Sequence, residues 1–321
     1  MSAENNFDNL DCTILIKTLK NRRYWLNSAL EIYDRIYKGL KIAIVETADA
    51  PNPDLKRFKN LKIIYKCGQD YSCEGALYEL SKLADTKYII EQGDDDLILV
   101  QRLSFLIEIA KISKCEIVSF ESLMINELDR ELYCKNLNKS KIVKSFNLSK
   151  LAIKRGLYQS APESSVFLSK RKRLEKFNKK YMMTAFSIIE REVAKRVHTS
   201  EWISPYNGIG ERTASLHAYV GFKTIRVPII AYLRLVTMSE LSPAAKERGN
   251  LFSSDIAKKY AINYFKISAP YLKLNNSDLN MSVLNRKNRI NQNKLQRTFT
   301  LFKIRIHKVL VSLLNIFLPF F

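Results

Sequence analysis

Acidic residues are missing from the end of this 321-residue chain: no Asp or Glu follows Asp278, whereas eight Lys and Arg do. Glycine and proline are sparse as well, at 9 and 8 residues. That excludes collagen-like and linker-rich chains and disfavours an all-β protein with many tight turns. The three histidines, His198, His217 and His307, lack metal-ligand spacing. The five cysteines, Cys12, Cys67, Cys73, Cys115 and Cys134, are odd in number and contain no CxxC pair. A disulfide framework and a zinc spacing are therefore absent, which favours a reducing compartment. No apolar run approaches the roughly 20 residues that span a bilayer as a helix. The opening stretch MSAENNFDNLDCT has no basic region followed by an apolar one, so no signal peptide is expected there. GxGxxG, P-loop and GxSxG patterns are missing too, which leaves dehydrogenase and hydrolase chemistry without support.

What is present is a foldable, strongly basic chain. Hydrophobic residues make up 46% and aromatics 11%, too many for a disordered protein. The length suits one large domain or two small ones. A net charge of +21 points to a polyanionic partner: nucleic acid, an anionic membrane, or phosphorylated substrates. Nucleic-acid binding rests on charge alone, because no zinc-finger, RRM or helix-turn-helix pattern occurs, and no nucleic acid is expected as a partner.

The first 120 residues alternate strand-like and helix-like segments. Apolar runs at 12–18, 40–45, 61–66, 87–90 and 116–120 read as strands, the first of the type buried on both faces. Helical periods fall at 22–37, 72–84 and 98–112. Further along, 182–197 reads as one amphipathic helix, 211–220 as another, and 224–227 as a strand. Alternation of this kind implies a mainly parallel sheet with crossover helices. Ligands in such sheets bind beyond the carboxyl ends of the strands. Three polar strand endings, 18–22, 46–49 and 93–96, are therefore expected along one edge.

Within that edge the adjacent Asp94, Asp95 and Asp96 are the strongest local signal. Neighbouring carboxylates repel, and a bound cation relieves the repulsion. Mg²⁺ and Mn²⁺ favour oxygen ligands and commonly bridge a carboxylate and a diphosphate. In an extended turn Asp94 and Asp96 would point to one side.

These residues carry a resemblance. CTILIKTLKNRR, a strand ending in Glu46 to Asp49, and TKYIIEQGDDDLI together resemble the family 2 glycosyltransferases of the GT-A fold, over roughly residues 11 to 235. The resemblance implies a GT-A-like, Rossmann-like α/β fold: a mainly parallel sheet flanked by helices, with a C-terminal helical extension. It implies a DxD motif at Asp94 and Asp96, which hold a divalent cation, Mn²⁺ or Mg²⁺. Thr18, Arg22, Asp94 and Asp95, with Glu46 or Asp49, are the residues it assigns to the nucleotide-sugar, a UDP-sugar foremost. It also implies a carboxylate base at the start of a later helix. Glu211 in GIGERT fits, although Arg212 stands where an Asp is usual; Glu190 and Glu192 are competitors. The implied chemistry is an inverting, metal-dependent transfer of a sugar to a hydroxyl of a cell-surface glycan or lipid-linked acceptor. Arg234 is a further candidate near the diphosphate.

The tail reads separately. Residues 1–240 form the expected catalytic domain and 241–321 a helical C-terminal region. From 299 to 317 an apolar arc faces Lys303, His307 and Lys308, a pattern suited to lying on an anionic membrane. A cytoplasmic protein peripheral on the inner face of the membrane is the expectation. A non-catalytic, membrane-associated relative of the same fold is the alternative.

Overall fold

A computed structural model describes residues 5–69, 71, 73–125, 158–159, 162–179, 184–198, 209–235 and 272. Its strands are β1 (Asn5–Asn6), β2 (Cys12–Leu19), β3 (Tyr37–Lys38), β4 (Lys41–Thr47), β5 (Lys62–Gly68), β6 (Tyr88–Gly93), β7 (Leu97–Ile98), β8 (Ile117–Ile125), β9 (Tyr158–Gln159), β10 (Ser187–Glu190) and β11 (Thr224–Leu235). Its α-helices are α1 (Arg23–Ile36), α2 (Cys73–Leu83), α3 (Leu103–Ser113), α4 (Lys170–Lys179), α5 (Arg191–Val197) and α6 (Ile209–Gly221).

Nine strands form one sheet in the order β5-β4-β2-β6-β10-β8-β11-β7, with β9 beside β8. The pairs β5–β4, β4–β2, β2–β6 and β8–β11 are parallel. β10 enters antiparallel between β6 and β8, and β7 runs antiparallel to β11. The sheet is thus mixed and mostly parallel, flanked by helices on both faces.

Alternation along each strand explains the two faces. Ile14, Ile16, Ile42, Ile44 and Ile90 join a core with Leu26, Leu30 and Tyr33 of α1 and Leu103, Leu106 and Ile107 of α3. Leu15, Ala43, Val45 and Ile89 join the opposite core, with Leu77 and Leu80 of α2, Val193 and Val197 of α5, and Ala214 and Ala218 of α6. Strands covered on both sides read as unbroken apolar runs, which is why the sequence reveals them.

The segment read as one helix over 182–197 is a correction. It holds a 3₁₀ turn at Thr184–Phe186, then β10, and only then α5. Ile188 and Ile189 face opposite cores from the middle of the sheet. Their pairing with β6 and β8 is non-local, and it overrides a helical period that α5 carries alone. The last strand is also longer than the expected 224–227. It continues to Leu235 across register shifts between Arg226 and Tyr232, the stretch that contains Pro228. A proline has no N–H for the ladder and is tolerated at such a bulge.

The boundary expected at residue 240 and the amphipathic tail lie outside the described residues. Leu272 alone is placed from that region, packed on Leu174 and Phe177 of α4 and Leu216, Tyr219 and Val220 of α6. No helix among the described residues is long and apolar enough to cross a membrane.

Candidate active site

The carboxyl ends of β2, β4 and β6 lie in register, so Thr18 pairs with Glu46, and Lys17 with both Val45 and Gly93. That ladder brings the three polar strand endings to one edge, as the alternation predicts. Beyond β6 the chain makes a tight turn, closed by the Asp96 N–H donating to the Gly93 carbonyl at 3.1 Å. A Cβ on Gly93 would stand 2.6 Å from Asp96 Oδ2, so this position has no room for a side chain.

Several distant groups pin the turn. Tyr33 of α1 donates to Gln92 Oε1 at 2.6 Å and accepts from the Ile98 N–H at 2.6 Å. Gln92 in turn donates from Nε2 to the Asp96 carbonyl. Tyr232 of β11 accepts from the Gly93 N–H at 2.9 Å and donates to Asp96 Oδ2 at 2.8 Å. The Leu235 N–H donates to Asp96 Oδ1 at 2.9 Å. Both oxygens of Asp96 therefore serve β11. Tyr232 thus holds the acidic turn, and nothing in its local sequence marks it beyond its place two positions before Arg234.

Burial, and then the charge of Asp95, push the Asp96 carboxyl up to about 7, against the pull of Tyr232, the Leu235 N–H and Arg234. Arg234 is thus close enough to act on the acidic turn. The folded state keeps this proton where the unfolded chain has released it. The stabilisation is fully present below the ordinary value of 3.8 and is lost as pH rises through about 7. Asp96→Asn is expected to flatten that fall. In urea unfolding of metal-free protein from about pH 5 to about pH 8, the wild type should lose stability relative to the variant. Parallel profiles would show that Asp96 is not the titrating group.

Asp94 and Asp95 turn the other way, toward Arg22. Arg22 Nε lies 2.8 and 2.9 Å from the two Asp94 oxygens, and Nη2 donates to Asp94 Oδ1 at 2.6 Å and to Asp95 Oδ2 at 2.7 Å. Thr18 Oγ1 adds a donation to Asp94 Oδ2 at 2.8 Å. The expected alignment of Asp94 with Asp96 is therefore not what the turn produces; Asp94 shares its cation with Asp95. Burial raises the Asp94 carboxyl and Arg22 draws it back down. The guanidinium itself is raised, first by its hydrogen bond to Asp94. Repeated donation onto both carboxylate oxygens fits an ionised pair, and that is the state the geometry supports.

The second strand ending divides its two acids. Glu46 is fully buried. It accepts from Arg23 Nε at 2.6 Å on Oε1 and from the Tyr65 hydroxyl on Oε2, so both oxygens are engaged within the protein. Asp49 is a surface carboxylate paired with Lys20 Nζ at 2.7 Å, and its side chain is 57% exposed. Of the two, Asp49 is the one a ligand can reach.

On the face of α5 and α6, topology sorts the acidic candidates. Glu190 pairs with Tyr88, the first residue of β6, and so lies at the opposite edge of the sheet. Glu192 is exposed beside Lys195 and Arg191. α6 feeds β11, whose first residue pairs with Ile117 at the start of β8. The first turn of α6, where Glu211 falls, therefore lies toward the carboxyl edge. The hydrogen bond between Thr184 and Ser215 of α6 ties the two together on that side. The same face holds an unforeseen part-buried pair: His198 Nε2 and Glu91 Oε1 are 2.7 Å apart. Glu91 is driven up by burial, but His198 and Lys17 outweigh that and leave it below its ordinary value.

The donor set suits a divalent cation. Carboxylate oxygens are the ligands that Mg²⁺ and Mn²⁺ favour. Asp94 and Asp95 already converge on one positive centre, which in this structure is the Arg22 guanidinium. No cluster of three or more His, Cys, Asp or Glu able to hold a metal occurs among the described residues. An ion there would complete its shell with water and substrate oxygens, as Mg²⁺ commonly does.

No protein-family model matches the chain, and no curated protein matches it either. Solved structures do. Residues 1–349 of S. aureus TarS match at a TM-score of 0.51 and 9% identity, over 87% of this chain and 71% of that one. TarS 1–349 in complex with UDP-GlcNAc gives 0.46 and 11% identity, over 81% and 74%. The mannosyltransferase PcManGT from Pyrobaculum calidifontis, in complex with GDP-Man and Mn²⁺, gives 0.47 and 10%, over 95% and 87%. The first of these likenesses bears on the fold. The fold is GT-A-like, a mixed and mostly parallel sheet flanked by helices, and it carries a carboxylate turn at the carboxyl edge of its strands.

Proposed function

We propose that the chain is a glycosyltransferase that takes a sugar from a nucleotide-linked donor. The observation that carries this reading is the convergence of Asp94 and Asp95 on one cation at the carboxyl edge of a GT-A-type sheet. Asp94 and Asp95 are the proposed seat of a divalent ion, Mn²⁺ or Mg²⁺. Asp96, the partner expected from the sequence, joins them only by giving up Tyr232 and the Leu235 N–H. A bound ion would neutralise charge on the departing diphosphate.

The protein's own groups have separate tasks. Thr18 fixes the Asp94 carboxylate. Arg22 offers a planar fork to phosphate oxygens. Asp49 is placed to meet the ribose or base, and Glu46 orders that wall by holding Arg23. Glu211 accepts the proton of the acceptor hydroxyl as its oxygen bonds to the anomeric carbon and the bond from that carbon to the diphosphate breaks. A single displacement inverts the anomeric centre. The donor is a UDP-sugar foremost, and the acceptor a hydroxyl of a cell-surface glycan or lipid-linked glycan. Residues 1–240 supply this chemistry. Residues 241–321, outside the described set apart from Leu272, are proposed to hold the protein on the inner face of the membrane.

A melting-temperature screen of UDP-, GDP-, CMP- and dTDP-linked sugars with Mn²⁺ tests the reading. One nucleotide class is expected to raise the melting temperature progressively with its concentration, by the equivalent of about 2.7 kcal/mol at a hundredfold excess over its dissociation constant. Flat curves across all four classes would sink the proposal.

A further inference from the structure

The three basic residues after Thr18 that lie along this edge each have their own carboxylate. Lys20 is on Asp49, Arg23 on Glu46, and Arg22 on the acidic turn. Arg22 differs from the carboxylate it grips in one respect: its side chain is 31% exposed, whereas that of Asp94 is 7% exposed. Asp94 is also held by Thr18 independently of Arg22. The Asp94 carboxylate can therefore stay in place while the guanidinium leaves. A second cation cannot join while it remains, because it would need the same oxygens and would be repelled at close range.

We infer that Arg22 and a divalent ion compete for the Asp94–Asp95 pair, and that a diphosphate resolves the competition by drawing Arg22 onto its own oxygens. This inference rests on the donor reading above. A guanidinium fork matches a diphosphate as well as it matches a carboxylate. The free protein therefore carries a cation of its own on the acidic turn, and an ion alone must displace it. Such displacement lowers the apparent affinity for the ion, as any unfavourable pre-equilibrium does. Once a nucleoside diphosphate takes Arg22, the ion meets two free carboxylates. By linkage the ion must strengthen diphosphate binding by the same factor. Donor and metal load together, and a metal-only form is suppressed.

The test counts free Mn²⁺ by EPR with the full chain, first with Mn²⁺ alone and then with UDP, GDP, CDP or dTDP in turn, each nucleotide series read against the same nucleotide and Mn²⁺ without protein. Wild type is expected to bind Mn²⁺ weakly alone and at least about tenfold more tightly with the matching nucleotide. Arg22→Ala is expected to bind Mn²⁺ alone about tenfold more tightly than wild type, with the nucleotide coupling reduced to what direct contact between ion and diphosphate supplies. Arg22→Lys, which keeps the charge without the fork, should fall between them and serves if the alanine variant does not fold. The inference is overturned if either variant binds Mn²⁺ alone no better than wild type, or if nucleotide leaves wild-type Mn²⁺ affinity unchanged. Nucleotide binding that survives such a result leaves the glycosyltransferase reading standing. Absence of both Mn²⁺ and nucleotide binding removes the two together.

Discussion

Asp94→Asn is expected to lower transfer from the matched nucleotide-sugar by about a thousandfold while leaving the protein as stable as before. The amide keeps the shape of the side chain and an oxygen for Thr18 and Arg22, but it removes the charge that would face a divalent ion. Loss of one preorganised electrostatic contact in an active site costs roughly 10²–10³ in rate, and loss of an anionic metal ligand is expected to sit at the upper end. Stability should hold. Burial is the largest influence on the Asp94 carboxyl and leaves it above its ordinary value, despite Arg22 and Thr18. The folded state therefore holds that proton more readily than the unfolded chain. This contribution is present at low pH and fades as pH rises through the folded value. An uncharged asparagine escapes that penalty, so at about pH 8 the variant should melt no lower than wild type. Transfer rates with saturating Mn²⁺, set beside melting temperatures, check both halves. Transfer within threefold of wild type would remove Asp94 from the chemistry. A large fall in stability would make it a structural residue.

The sequence made one part of this site readable and hid another, for reasons visible in particular residues. Apolar runs such as CTILIK and KIAIV are buried on both faces, so composition alone marks them as strands. Their polar endings then fall on one edge by the rules of parallel connection, which is why Thr18, Arg22, Glu46 and Asp94 share a neighbourhood. β10 was not readable. Ser-Ile-Ile-Glu fits a helical period as well as a strand, and what decides is the gap between β6 and β8 into which it pairs. The division within the Asp triplet was hidden too. A period of two predicts a common side for Asp94 and Asp96, but a turn closed from Asp96 to Gly93 breaks that period. Tyr232, 136 positions away, then captures the second carboxylate. Glu46 shows the same limit: its acid type is legible at the end of β4, whereas its engagement by Arg23 and Tyr65 depends on side chains from two other elements. Residue type and strand end are local properties. The partner that commits a carboxylate to structure or leaves it for a ligand is not.

Glu211→Gln is expected to reduce transfer by about 10²–10⁴, the usual worth of a positioned general base, with donor binding unchanged. Placement favours Glu211 over the other two acids. Glu190 sits at the far edge beside Tyr88, and Glu192 points into solvent with Lys195. Neither can reach a hydroxyl bound over the carboxyl ends of β2 and β6. α6 runs away from that edge toward the start of β11, which leaves its first turn on the correct side. A carboxylate in the first turn of a helix is stabilised by the dipole. The variant should therefore show the same donor-induced rise in melting temperature as wild type, and should lose the acidic limb of the pH–rate profile along with its rate. Normal transfer by Glu211→Gln would shift attention to the part-buried pair on the same face, His198 and Glu91, the latter two residues before Gly93. Glu91→Gln in that background would then show whether the proton leaves through β6 rather than through α6.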